Sequence, residues 1–154
     1  MEGYNPELDF NAEDDYKEAP LVPDGIYHAN VTSVFFNAKD YRIDWQVTLA
    51  ENDGVCTDGE TEIDGTQHKY TIWLPKPGDE NELIKSGRMS KRQSKINGFA
   101  RFVDAMKLKE KTVGAMVECI DNAEYMGLEV DVKLQTREFP EGNFFNDIRD
   151  MSAE

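Results

Sequence analysis

Three stretches of the chain alternate apolar and polar residues with the period of a half-buried β-strand. In residues 41–49, Tyr41, Ile43, Trp45, Val47 and Leu49 share one face, and Arg42, Asp44, Gln46 and Thr48 share the other. Residues 66–74 repeat the pattern, with His68, Tyr70, Ile72 and Leu74 on one side and Lys69, Thr71 and Trp73 on the other. Residues 128–136 turn Leu128, Val130, Val132 and Leu134 inward. Residues 26–36, IYHANVTSVFF, are rich in β-branched and aromatic side chains and predict a long first strand. A turn at 37–40 joins it to the second strand as a hairpin. A second turn, at 138–142, precedes a short last strand at 143–148.

One stretch has the helical period instead. Between residues 90 and 107, Ile96, Phe99, Phe102, Val103 and Met106 form a single apolar stripe, with Ser90 or Ser94 as N-cap. Gly98 interrupts this helix at a cost of about 1 kcal/mol against Ala, and reads as a point of close packing. Residues 113–119, VGAMVEC, fit a short strand or a helical turn equally well. The order predicts a mainly β fold with one main helix: a five-stranded antiparallel OB-like barrel, the helix between strands 3 and 4. An open α+β sandwich is the alternative. Residues 1–24 read as an acidic, largely irregular arm, 25–149 as the OB-like domain, and 150–154 as a short tail.

Charge sharpens this picture. The 154-residue chain carries a net −14, yet residues 85–111 hold nine Lys and Arg against two acids, Asp104 and Glu110. That segment is +7 and the remainder −21, so the basic stretch is expected to meet something anionic. The bland alternative is a solvated helix whose cations pair with the acidic remainder. The arm carries eight acids against Lys17 alone. With Tyr4, Phe10 and Tyr16 interleaved among them, it is a candidate competitor in cis for whatever anion the basic stretch binds.

Catalytic chemistry finds little support. GxxxxGK[ST], GxSxG and HExxH are all missing, and His28 and His68 have no ligand-type neighbours at metal spacing. Cys56 and Cys119 are too sparse for a disulfide scaffold and read as free thiols. No enzyme, cofactor or metal is expected. A metal-dependent hydrolase built on the acidic loop 50–65 is the weakest reading. No apolar run approaches the length of a membrane span and no signal peptide is visible, so a cytoplasmic protein is expected.

Binding is the better reading. OB barrels hold single-stranded nucleic acid across strands 2 and 3, between the first and last hairpin loops, with cations on the backbone path and aromatics under the bases. The outward side of those strands offers Arg42, Gln46, Lys69 and Trp73; Phe36 and Lys39 mark the first loop, and Arg137 and Phe139 the last. Lys85, Arg88, Lys91, Arg92 and Lys95 of the basic stretch complete the candidate set. Trp73 is its sharpest member because it breaks a polar face. Burial under the arm or at a dimer interface would explain it otherwise. Trp45 shares the apolar face and is assigned to the core.

The chain resembles a family of small phage-encoded proteins, known as a domain of unknown function and found beside replication and recombination genes. The resemblance rests on Pro23-Asp24-Gly25-Ile26-Tyr27, Ile43-Asp44-Trp45-Gln46-Val47, Phe99-Ala100-Arg101-Phe102 and Tyr125-Met126-Gly127-Leu128, and on the closing 143–148 hairpin. It covers residues 5–149 and implies an OB-type fold that binds single-stranded DNA without strong sequence preference. Replication or recombination proteins are the implied partners, self-association remains open, and no membrane is involved. The acidic C-terminal tail that many such proteins use as a docking hook is missing; here the denser acid is N-terminal. A protein-interaction module without nucleic-acid binding is the alternative function.

Overall fold

The most regular element is the second strand, β2 (Arg42–Leu49), whose alternation is realised almost residue for residue. Ile43, Trp45, Val47 and Leu49 are buried, and the residues between them are half-buried. The computed structural model describes residues 3 and 5–154. β2 is flanked by β1 (Gly25–Asn37) and β3 (Gln67–Trp73). After two helices, β4 (Glu129–Glu138) and β5 (Phe144–Ala153) extend the sheet past β1. The result is one five-stranded antiparallel sheet in the order β3-β2-β1-β4-β5.

Three expectations are corrected. First, the barrel is not closed. β3 and β5 border a seam across which they run in the same direction, and no hydrogen-bond ladder joins them. Side chains fill the seam instead. The helix α1 (Lys91–Ala105) packs against both edges, with Phe102 stacked on Tyr70 of β3 at 5.7 Å between ring centroids. At the other end residues 19–22 cover the gap between His68 and Asn146. The two edge strands touch each other without forming a ladder, and α1 rests on both.

Second, the connection from β3 to β4 contains two helices rather than one. The undecided stretch is α2 (Val113–Asp121), because Thr112 caps it by accepting from the Ala115 N–H at 3.1 Å, and Met116 is fully buried. Ser90 caps α1 in the same way through the Gln93 N–H at 3.0 Å. Third, β5 runs on to Ala153 and pairs with β4 to its end, so residues 150–153 belong to the sheet and are not a tail. The packed region also begins before residue 25. Val22 is 1% exposed, and its N–H and C=O both bond the Asn146 amide, at 2.9 and 2.8 Å.

A β-bulge in β1 decides what the outer face carries. Ala29 and Val31 are buried, so strict alternation would point Ser33 and Phe35 inward and Phe36 outward. The register against β2 slips between Val31 and Ser33, leaving Thr32 unopposed. Beyond it Val34 pairs with Trp45 and Phe36 with Ile43, on the core side, and Phe35 pairs with Asp44 on the outside.

The core converges on Trp45. Its ring meets Phe102 of α1 edge-on at 5.1 Å and Tyr125, beyond α2, at 4.8 Å. Trp45→Ala is expected to cost about 3–5 kcal/mol in urea unfolding. Trp73→Ala, at a residue 54% exposed, should stay within about 0.5 kcal/mol of the parent.

Candidate functional site

The outer face of β1, β2 and β3 brings part of the predicted set together. Register places Arg42 opposite Trp73 and Gln46 opposite Lys69. Trp73 is exposed, so burial under the arm does not explain it. The Arg42 guanidinium lies 5.9 Å from the Trp73 ring centroid. It is also held by Asp40 at 3.5 Å and Asp44 at 3.1 Å, so its charge is largely neutralised and it serves to brace the indole. Gln46 bonds Gln67 at 2.7 Å, and Lys69 is exposed beside them. Lys39 is exposed in the β1–β2 turn, which Asn37 and Asp40 hold through side-chain hydrogen bonds at 3.0 and 2.9 Å.

Phe36 is corrected: it packs against the core. The exposed aromatic is its neighbour Phe35, 60% exposed, in the row Phe35–Asp44–Thr71 beside the Asn37–Arg42–Trp73 row. The only sequence signal for it is that two adjacent strand residues cannot face the same way; the bulge that chooses between them leaves no signature.

Arg137 and Phe139 lie at the tip of the β4–β5 hairpin. Arg137 pairs with Asp147 at 3.2 Å, and Phe139 is 76% exposed. Phe144 and Phe145 of the same hairpin face Gln67 and His68 across the seam, so the hairpin flanks the start of β3 while Trp73 marks its end. These two ends are roughly 20 Å apart along the strand.

The basic stretch divides. Lys95 Nζ binds Asp79 at 2.7 Å, and Asp79 also accepts the Lys76 N–H at 2.9 Å. Asp79 is fully buried, so Lys95 is structural, and its hydrogen bond holds the Asp79 carboxyl below the usual range. Lys91 pairs with Glu82 at 3.4 Å. Lys85 and Arg88, before α1, and Arg92, in its first turn, are exposed, while the cleft between α1 and Trp73 is lined by Ser94, Lys95, Gly98 and Phe99. The acidic arm approaches elsewhere: Tyr16, Lys17, Glu18 and Ala19 line a cleft with Gly142, Asn143 and Phe144. Tyr4 lies outside the described residues.

A second constellation was invisible in the sequence because its members are far apart. His28 Nδ1 bonds Glu154, and Glu51 and Glu129 each lie 3.9 Å from its Nε2. Ligand atoms of His28, Asp131 and Glu154 fall within 4.8 Å of one another, the one group among the described residues able to hold a metal ion. The Glu154 bond, reinforced by the other carboxylates against burial, raises the imidazole above its ordinary 6.5. Asp131 is raised by burial and by sharing a hydrogen bond with Glu154, which His28 in turn lowers.

Two of the six acids of loop 50–65 are occupied by backbone: Asp64 accepts the Asn52 and Asp53 N–H groups, and Asp58 those of Glu60 and Thr61. Both cysteines are free. The Cys119 thiol is pushed up to about 11 by its hydrogen bond with Glu124 and by burial, so it stays protonated at neutral pH. No helix among the described residues is long and apolar enough to cross a membrane. No protein-family model matches the chain, and no curated protein matches it.

Because the His28 pKa is raised on folding, its contribution to stability is complete below the ordinary 6.5 and is lost as pH rises through the folded value. The Glu154 contribution is instead lost as pH falls below its ordinary 4.5. The pair is strongest between these limits. His28→Gln should flatten the decline in melting temperature above pH 6.5 in a thermal-unfolding series.

Proposed function

We propose that this chain is a non-catalytic single-stranded-DNA-binding protein without strong sequence preference, acting in phage DNA replication or recombination. The observation that carries the reading is the pair of solvent-exposed aromatics, Trp73 and Phe35, on one three-stranded outer face with Lys69, Gln46 and Thr71 between and beside them. Exposed rings on a strand face have no role in the core, and they are the platform on which unstacked bases rest, each worth about 1–3 kcal/mol. The strand order supports the same reading. It is that of an OB barrel, whose ligands cross strands 2 and 3 between the first and last hairpins. Here Lys39 stands in the first of these hairpins, and Phe139 with Phe145 in the last.

A protein-interaction module is the second reading. It is favoured by the neutralisation of Arg42, Lys91, Lys95 and Arg137 by neighbouring acids in a chain of net charge −14. On the first reading the free cations Lys39, Lys69, Lys85, Arg88 and Arg92 carry the phosphate contacts.

Trp45 is fully buried, so oligo-dT should quench only the Trp73 part of the fluorescence. Affinity should fall with salt at a slope of about −0.7 per phosphate neutralised. Trp73→Ala and Phe35→Ala should each weaken binding by about 1–3 kcal/mol without unfolding the protein. A gel shift that detects no complex with oligo-dT at low salt, alongside a stoichiometric protein complex in native mass spectrometry, would replace the first reading by the second. If the arm competes for the hairpin end of the face, a chain lacking residues 1–20 should bind several-fold more tightly at low salt, with the gain shrinking as salt rises. Equal or weaker binding by the truncated chain removes the competition.

A further inference from the structure

Gly98 lies in the interior of α1, where glycine costs about 1 kcal/mol relative to alanine. Close packing would justify it, and the structure contradicts that expectation: a Cβ at this position would meet nothing within 4 Å. Its φ is not in the left-handed region either, so the backbone does not call for glycine. What the missing side chain does is leave a groove open. Gly98 forms part of a cleft of about 220 Å³ between α1 and β3, with Trp73 at its mouth and Tyr70 and Phe99 along it. Gly98 and Tyr70 also belong to an adjoining cleft of about 190 Å³ that leads to Arg101. The two clefts share Gly98 and Tyr70, and this α1–β3 channel is lined by the exposed indole in one part and by Arg101 in the other.

The channel walls suit a flat, partly polar ring. The rings of Phe99 and Tyr70 are half-buried, each with part of its surface open to the channel. Four consecutive residues of β3, from Tyr70 to Trp73, line it, which requires the strand to present its backbone edge. That edge has no partner strand, since β3 pairs only with β2, so its free N–H and C=O groups face the channel. The Ser94 hydroxyl adds a donor and acceptor.

Building on the single-strand reading, we propose that the α1–β3 channel is a base-binding site. A strand crossing the outer face turns over the β3 edge at Trp73 and inserts one unstacked nucleobase beside Gly98. The base lies against Phe99 and Tyr70, with its polar rim toward the β3 backbone edge.

Gly98→Leu tests this, because leucine is the better helix former and a Cβ at this position meets nothing within 4 Å. The variant should melt no lower than the parent and bind fluorescent oligo-dT about tenfold more weakly. As a second measurement, wild-type protein irradiated with an oligonucleotide containing 5-iodo-deoxyuridine should crosslink at Tyr70 or Phe99. A folded Gly98→Leu protein with parental affinity overturns the channel and leaves the single-strand reading standing. Crosslinks confined to Phe35 and Trp73 do the same. If wild-type protein fails to bind oligo-dT at low salt, the single-strand reading falls, and the channel falls with it.

Discussion

The burial of one indole organises this molecule. Trp45 stands at the centre of β2, and its ring touches the helix on one side and the segment after the second helix on the other. Tyr125 is fixed in turn by its hydroxyl, which donates to Glu110 at 2.7 Å. Phe102 passes the contact on to Tyr70, at the sheet's edge. A chain of four rings therefore spans the core from the region after α2 to β3. Without it the two helices would have no common support. The sheet could not hold α1 in the seam, and the face beside that seam would lose its border.

The elements were largely legible because their periods are clean. β2 and β3 alternate without interruption, and the α1 stripe buries Phe102, Val103 and Met106 as its spacing requires. What escaped notice depends on residues distant in sequence or on single-residue irregularities. Closure of the barrel turns on whether β3 and β5 pair, and no local pattern records that. The helix α2 was ambiguous because nine residues hold too few turns to declare a period. Phe35 was hidden by the bulge at Thr32, and the His28 cluster by the 126 residues that separate it from Glu154.

Charge was legible in amount but not in use. The basic stretch is real, yet Lys95 is turned inward to hold a buried carboxylate and Lys91 is matched by Glu82. The same holds for Arg42 and Arg137, whose positions on the outer surface are shared with acids. A sum over sequence counts all these cations alike. The fold separates those that maintain structure from those left facing solvent, and only the second group is available to an anionic partner.

The seam has a consequence beyond the site. A sheet with two unpaired edges is a template for its own polymerisation, since each free row of backbone groups can accept a strand from another copy. In this chain the two edges lie against each other, α1 packs on both, and residues 19–22 line the cleft at one end. Where β3 and β5 touch, neither row is open to a strand from another copy. Residues 19–22 are fixed there by the burial of Val22, by the Asn146 amide, and by the Thr57 hydroxyl and N–H. The short segment before β1 is thus part of what shields the ends of the sheet's two edges.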